Sequence, residues 1–149
     1  MIKLCVFDFD STIMDGETID ILAAANNASD EVASITKRSM NGELDFFESL
    51  TARVKFLKGM PLSKADEICK NLPIMPGASE LIGALKQKGI KVVVFSGGFH
   101  IATDKMQEKL KFDANFANIL HHKDGILTGE VGGEMMFGSS KGEMIDRLR

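Results

Sequence analysis

The start of the chain constrains its architecture more than any other stretch. Ile2-Lys3-Leu4-Cys5-Val6-Phe7 is a short apolar, branched run that stops abruptly at Asp8-Phe9-Asp10-Ser11-Thr12. That pattern reads as a buried strand of a parallel sheet ending in a polar turn, with two carboxylates at its carboxyl end. A second run, Ile90-Lys91-Val92-Val93-Val94-Phe95, ends in Ser96-Gly97-Gly98 and precedes a helical pattern from about Ile101 to Leu110. Just ahead of it, Pro76-Gly77 opens a helical stretch from Ala78 to Lys88. Leu81, Ile82 and Leu85 fall at helical spacing there, and Gly89 marks the end. Strand, helix, strand, helix predicts an α/β fold.

Residues 14–74 carry no strand signal. They are rich in Ala, Glu and Lys and are broken at Asn26-Asn27, Asn41-Gly42 and Gly59-Met60-Pro61, which predicts several helices. A crossover between neighbouring parallel strands needs only about a dozen residues, so the excess predicts a helical subdomain inserted over the strand ends. Farther on, Phe116–His121 and Ile126–Val131 flank Lys123-Asp124-Gly125, a hairpin signal with Asp-Gly in the turn. Ser139-Ser140-Lys141-Gly142 leads into a last helix over Glu143–Leu148.

At 149 residues the chain has the length of one ordinary domain with one sizeable core. Lys and Arg total 18 against 21 Asp and Glu, for a formal charge of −3, and there is no basic cluster to drive nucleic-acid binding. A small-molecule partner is expected instead. No apolar stretch reaches the roughly 18 residues of a membrane helix, and Asp8 and Asp10 interrupt the N-terminal run where a signal peptide stays apolar. The expected setting is cytoplasmic. Cys5 and Cys69 lie in apolar segments without CxxC spacing, so they read as buried thiols rather than a disulfide or zinc site. Nine Met residues suggest pliable packing or a pocket lined by soft side chains.

Several residues could carry chemistry. Asp8 and Asp10, two apart on a strand, can point the same way at the end where open α/β sheets place their ligands. A close pair of carboxylates suits a hard divalent cation, with one oxygen left to attack phosphorus and another to exchange protons. Asp-Ser-Thr is equally ordinary turn and helix-cap chemistry, and spacing alone leaves both readings open. Ser96-Gly97-Gly98 would present a hydroxyl and backbone N–H groups to an anion, or form a plain tight connection. Lys141 stands at a helix start, where the macrodipole disfavours a cation unless an anion lies nearby. His121 and His122 are adjacent, face opposite sides of a strand, and read as structural.

Taken together, these residues resemble the haloacid dehalogenase (HAD) superfamily. Asp8-Phe9-Asp10-Ser11-Thr12 matches its first motif, Ser96-Gly97-Gly98 its second and Lys141 its third. Glu17-Thr18-Ile19-Asp20, Val94-Phe95-Ser96-Gly97-Gly98-Phe99 and Lys123-Asp124-Gly125 through Thr128-Gly129 look like the branch that hydrolyses phosphoserine in serine biosynthesis. The resemblance runs along the whole chain. It implies a HAD-like Rossmannoid parallel-sheet core, residues 1–13 and 75–149, with a helical-bundle cap over residues 14–74. It further implies a Mg2+-dependent phosphatase in which Asp8 is the nucleophile and Asp10 the acid and base, with Asp8 and the backbone carbonyl of Asp10 holding the metal. Ser96, Gly97 and Lys141 would bind phosphate. Glu17 would face the substrate ammonium and Arg53 its carboxylate, with Met40 and Phe46 as apolar walls.

One departure stands out. The superfamily's fourth motif, a Gly-Asp-Gly turn after a later strand, supplies a metal ligand, and this sequence stops at Arg149 without it. The sequence is therefore expected to be part of a longer phosphatase or to need a neighbouring chain, with weak Mg2+ binding, little activity and an uncovered sheet edge open to self-association. A phosphatase for another small metabolite and a non-catalytic phosphoserine-binding fragment are the alternatives. A signalling receiver also pairs acids after its first strand. It carries its phosphorylated Asp on a later strand, however, and has no room for residues 14–74.

Overall fold

The computed structural model describes residues 1–148. Four strands form one sheet in the order β1 (Leu4–Asp8), β2 (Lys91–Phe99), β3 (Ala114–Lys123), β4 (Ile126–Gly133). The first three are parallel, and β4 returns antiparallel from β3. Seven α-helices accompany them among the described residues: α1 (Thr18–Ala25), α2 (Ser29–Met40), α3 (Phe46–Val54), α4 (Leu62–Lys70), α5 (Ala78–Gln87), α6 (His100–Leu110) and α7 (Ser140–Leu148). The expected α/β architecture is present, and no described helix is long and apolar enough to cross a membrane.

The breaks fall where the sequence puts them. α1 stops at Asn26, and Asn27 takes φ 57°; α2 stops at Asn41, and Gly42 takes φ 79°. Asp45 caps α3 by accepting from the Glu48 amide while Glu48 reaches back to the Asp45 amide, a capping box that fixes the start of that helix. The β3–β4 turn places Asp124 at φ 53° and Gly125 at φ 77°, the two left-handed positions of a tight hairpin turn.

Side chains alternate across the sheet, as strand geometry requires. Val92 and Val94 join the main core, which runs without interruption from Ile82 and Met106 to Leu22, Val32, Leu50 and Val54 of the helices between β1 and α5. Val93 and Phe95 face the other way, onto Met135 and Met144, with Phe95 edge-on to Phe116 at 5.6 Å. Methionine fills both cores: Met14, Met60, Met106, Met135, Met136 and Met144 are all buried. The helices are also tied to the hairpin by backbone bonds, Gly59 N–H to Leu127 O, Leu62 N–H to Gly125 O and Leu127 N–H to Met60 O.

Three expectations need correction. β1 is only partly covered, because it is the edge strand: Val6 and Phe7 each pack on one core while Leu4 stays exposed. Cys5 is accordingly half-buried, whereas Cys69 is buried, both are free, and burial pushes the Cys69 thiol up to about 12. β2 continues through Ser96-Gly97-Gly98 to Phe99 instead of turning at Ser96. Its pairing with β3 shifts register between Phe95 and Phe99, where the Ser96 hydroxyl oxygen accepts from the Gly98 amide.

Candidate active site

β1 ends at Asp8, and the backbone then folds tightly over Phe9, whose carbonyl accepts from the amides of Thr12, Ile13 and Met14. This turn holds Asp8 and Asp10 at the carboxyl end of the sheet. Asp8 Oδ1 accepts from the Phe9 amide at 2.9 Å and from Lys141 Nζ at 2.8 Å, so Lys141, in the first turn of α7, reaches the first strand. Asp10 Oδ1 accepts from the Thr18 amide at 3.0 Å and the Thr18 hydroxyl at 2.7 Å. Among the described residues, no hydrogen bond engages the second oxygen of either carboxylate. The Asp10 carboxyl is pushed up to about 6, chiefly by burial; the Thr18 bonds oppose the rise and the charges of Glu17 and Asp8 add to it.

A cavity of about 310 Å³ opens over these groups. Asp8, Asp10, Gly97, Gly98 and Lys141 line its floor, and Glu17, Phe46 and Arg53 line it from the helices between β1 and α5. The Ser11 backbone lies in the left-handed region at φ 60°, and its hydroxyl donates to Glu17 Oε1 at 2.8 Å. Holding a non-glycine residue there is a strained choice that aims this hydroxyl at Glu17. Arg53 donates from Nε to the Ser49 carbonyl. Burial pulls its guanidinium down, against the opposing charges of Asp20, Glu17 and Asp10. Glycine at position 97 makes room for the Phe46 ring, since a Cβ there would lie 2.5 Å from it and force the ring to shift. Gly98 likewise leaves room beside Asp10 Oδ2.

Seven of the nine sequence-derived site residues thus line one cavity: Asp8, Asp10, Glu17, Phe46, Arg53, Gly97 and Lys141. Ser96 lies just beneath, 1% exposed. Met40 is elsewhere: as the last residue of α2 it is 83% exposed and lines a separate groove with Asp20 and Lys37, so its assignment as an apolar wall is withdrawn. The apolar walls are Phe46, Leu50, Met135 and Phe137.

Three residues escaped the sequence. Thr18, marked in the sequence only as part of the Glu17–Asp20 run and given no role, holds Asp10. Phe137, between the hairpin and the last helix, takes no role from the sequence yet lines the cavity. Asn118 is fully buried in β3, donates to the carbonyls of Gly97 and Met135, and accepts from the Met135 amide at 2.9 Å. It joins the two walls of the cavity. An amide set between the apolar residues Ala117 and Ile119 was the available signal.

A strand-end carboxylate pair under inserted helices, faced by a serine-glycine strand end and a helix-borne lysine, defines a hydrolase class, and comparison agrees. The haloacid dehalogenase-like hydrolase family matches residues 2–148, and the chain belongs to that family. It is 65% identical over 147 residues to a phosphoserine phosphatase of Wolinella succinogenes, covering 99% of this chain and 71% of that protein. It is 58% identical to one from Campylobacter jejuni subsp. doylei, covering 100% and 72%. Among solved structures, a substrate-bound phosphoserine phosphatase complex superposes with a TM-score of 0.92 at 44% identity, covering 99% of this chain and 70% of that one. A phospho-aspartyl intermediate analogue of phosphoserine phosphatase superposes with a TM-score of 0.91 at 46% identity, with the same coverage.

Proposed function

We propose that the chain is a Mg2+-dependent phosphatase that hydrolyses O-phospho-L-serine to L-serine and phosphate, in the cytoplasm, as the last step of serine biosynthesis. The observation that carries this reading is one cavity with a carboxylate and a cation at each end: the Asp8–Lys141 pair with Gly97 and Gly98 on one side, Glu17 and Arg53 on the other. A phosphate fits the first end and a zwitterionic amino acid the second. Residues 14–74 are then the cap and the remainder the core.

With Oδ1 tethered by Lys141 and Phe9, the other oxygen of Asp8 is the nucleophile that attacks phosphorus and forms an aspartyl-phosphate. Asp10, near 6, gives its proton to the departing serine oxygen. It then takes a proton from the water that cleaves the acyl phosphate, restoring both carboxyls. Ser96 and Gly97 would bind the phosphate oxygens, the Gly98 amide holding the Ser96 hydroxyl oxygen in place, and Lys141 offsets their charge. The Asp8 carboxylate and the Asp10 backbone carbonyl are hard oxygen donors, and Mg2+ commonly binds through one or two carboxylates together with substrate phosphate, so these groups would hold it and leave the Asp10 carboxyl free for proton transfer. When bound, the ion neutralises phosphate charge. A second copy adding at the β1 edge is the proposed route to self-association.

The test is phosphate release from L-phosphoserine with Mg2+ and then EDTA, using Asp8→Asn as control. Release that needs both the metal and Asp8 is expected. A folded chain that binds phosphoserine without releasing phosphate would favour the second reading, a binding fragment. That alternative has its own support, since Glu17, Arg53 and Lys141 line the cavity and could hold the ligand without turnover.

A further inference from the structure

α3 begins with two consecutive phenylalanines, and neighbouring helix positions diverge by about 100°. Phe46 descends onto Gly97. Phe47 instead crosses to Phe137, in the segment between β4 and α7, and the rings stack at 5.1 Å with an interplanar angle of 14°. Neither ring belongs to a core: Phe47 is 38% exposed and Phe137 59%. The chemistry above does not use this contact, yet its position is telling. Phe47 shares α3 with Arg53, while Phe137 lines the cavity and lies just before Lys141. The stack therefore ties the helix bearing the cation at one end of the cavity to the segment leading to the cation at the other.

We propose that Phe47 and Phe137 are a clasp that holds the cap helix α3 against the core, so that the two ends of a bound substrate are gripped together. What the cavity grips rests on the function proposed above; the clasp itself does not. A stacked aromatic pair of this kind biases closure about three- to tenfold. Both residues act through the groups they position rather than on the substrate's reacting atoms.

Hydrogen exchange on the full chain, read by mass spectrometry, tests the clasp without turnover. Phe47→Ala is expected to raise exchange about three- to tenfold in residues 134–139, across the contact, as well as in α3. Phe137→Ala should do the same to α3, the double variant should add little to either, and Phe47→Tyr should restore the original rates. In calorimetric titration Phe47→Ala should weaken phosphoserine binding by the same factor. If Phe47→Ala loosens α3 alone and leaves residues 134–139 unchanged, Phe47 merely packs its own helix and the clasp is overturned. If the parent chain does not bind phosphoserine, the substrate assignment fails, and the exchange result still decides the clasp.

Discussion

Replacing Asp10 by Asn should stabilise the metal-free protein while abolishing its chemistry, and the gain should depend on pH in a definite direction. Folding moves the Asp10 carboxyl from its ordinary 3.8 to about 6, so the native state binds this proton more tightly than the unfolded chain does. The associated stability is fully present below about pH 4 and is lost as pH rises through about 6. Above that, the protein holds an ionised carboxylate in a partly dry site beside Asp8 and Glu17. At about 1.4 kcal/mol for each tenfold change in proton affinity, the displacement amounts to about 3 kcal/mol. Asp10 retains some solvent contact, so about 1–3 kcal/mol is the working range.

Asn keeps an oxygen to accept both Thr18 bonds and carries no charge. In EDTA at pH 8, Asp10→Asn should therefore melt roughly 3–10 °C higher, taking about 2–4 °C per kcal/mol for a domain of this size. At pH 4 the advantage should vanish. Differential scanning calorimetry across that range is the assay. An equal gain at pH 4 and pH 8, or none at pH 8, would refute the assignment of burial and like charge as the cause. A gain would be a trade of stability against function of the kind active sites show.

Arg53→Ala should raise KM for phosphoserine at least tenfold and leave p-nitrophenyl phosphate, which has no amino-acid end, nearly unchanged in steady-state assays. Asn118→Leu leaves the carbonyls of Gly97 and Met135 and the Met135 amide without their buried partner. A loss of about 3 kcal/mol or more in urea unfolding is expected. Gly97→Ala forces the Phe46 ring away from a Cβ that would otherwise lie 2.5 Å from it. A stability loss of about 1–3 kcal/mol should accompany a weaker affinity for phosphoserine, measured by calorimetry.

Much of the fold was legible because its signals are local. An apolar run ending in Asp8-Phe9-Asp10, the breaks at Asn26-Asn27 and Asn41-Gly42, and the Asp124-Gly125 turn each depend on a few adjacent residues, and each appears in place. What was not legible depends on partners distant in sequence. Nothing in the β2 run reveals that Ser96 bonds Gly98 and carries the strand on to Phe99. Periodicity makes α2 a helix but does not aim Met40, which ends in solvent. Asn118 acquires its role only when β3 comes beside Gly97 and Met135. The apolar run alone reads as a buried strand, but β1 stands at one end of the four-strand order, where the expected uncovered edge lies, and is only half covered.

In the proposed mechanism, the charges around the cavity would let Asp10 serve first as acid and then as base. Three carboxylates, Asp8, Asp10 and Glu17, face two cations, Arg53 and Lys141. With Asp10 ionised the group is net negative and repels a phosphate dianion; with Asp10 protonated it is neutral. The phosphate dianion by itself favours the protonated form and a bound Mg2+ opposes it, so burial, the chief cause of the rise to about 6, is what would keep a proton available for the leaving oxygen. Once the serine oxygen has taken that proton, the ionised Asp10 lies beside an aspartyl-phosphate and can draw a proton from water. Thr18 sets the balance, since its two bonds favour the ionised form and keep burial from locking the proton in place.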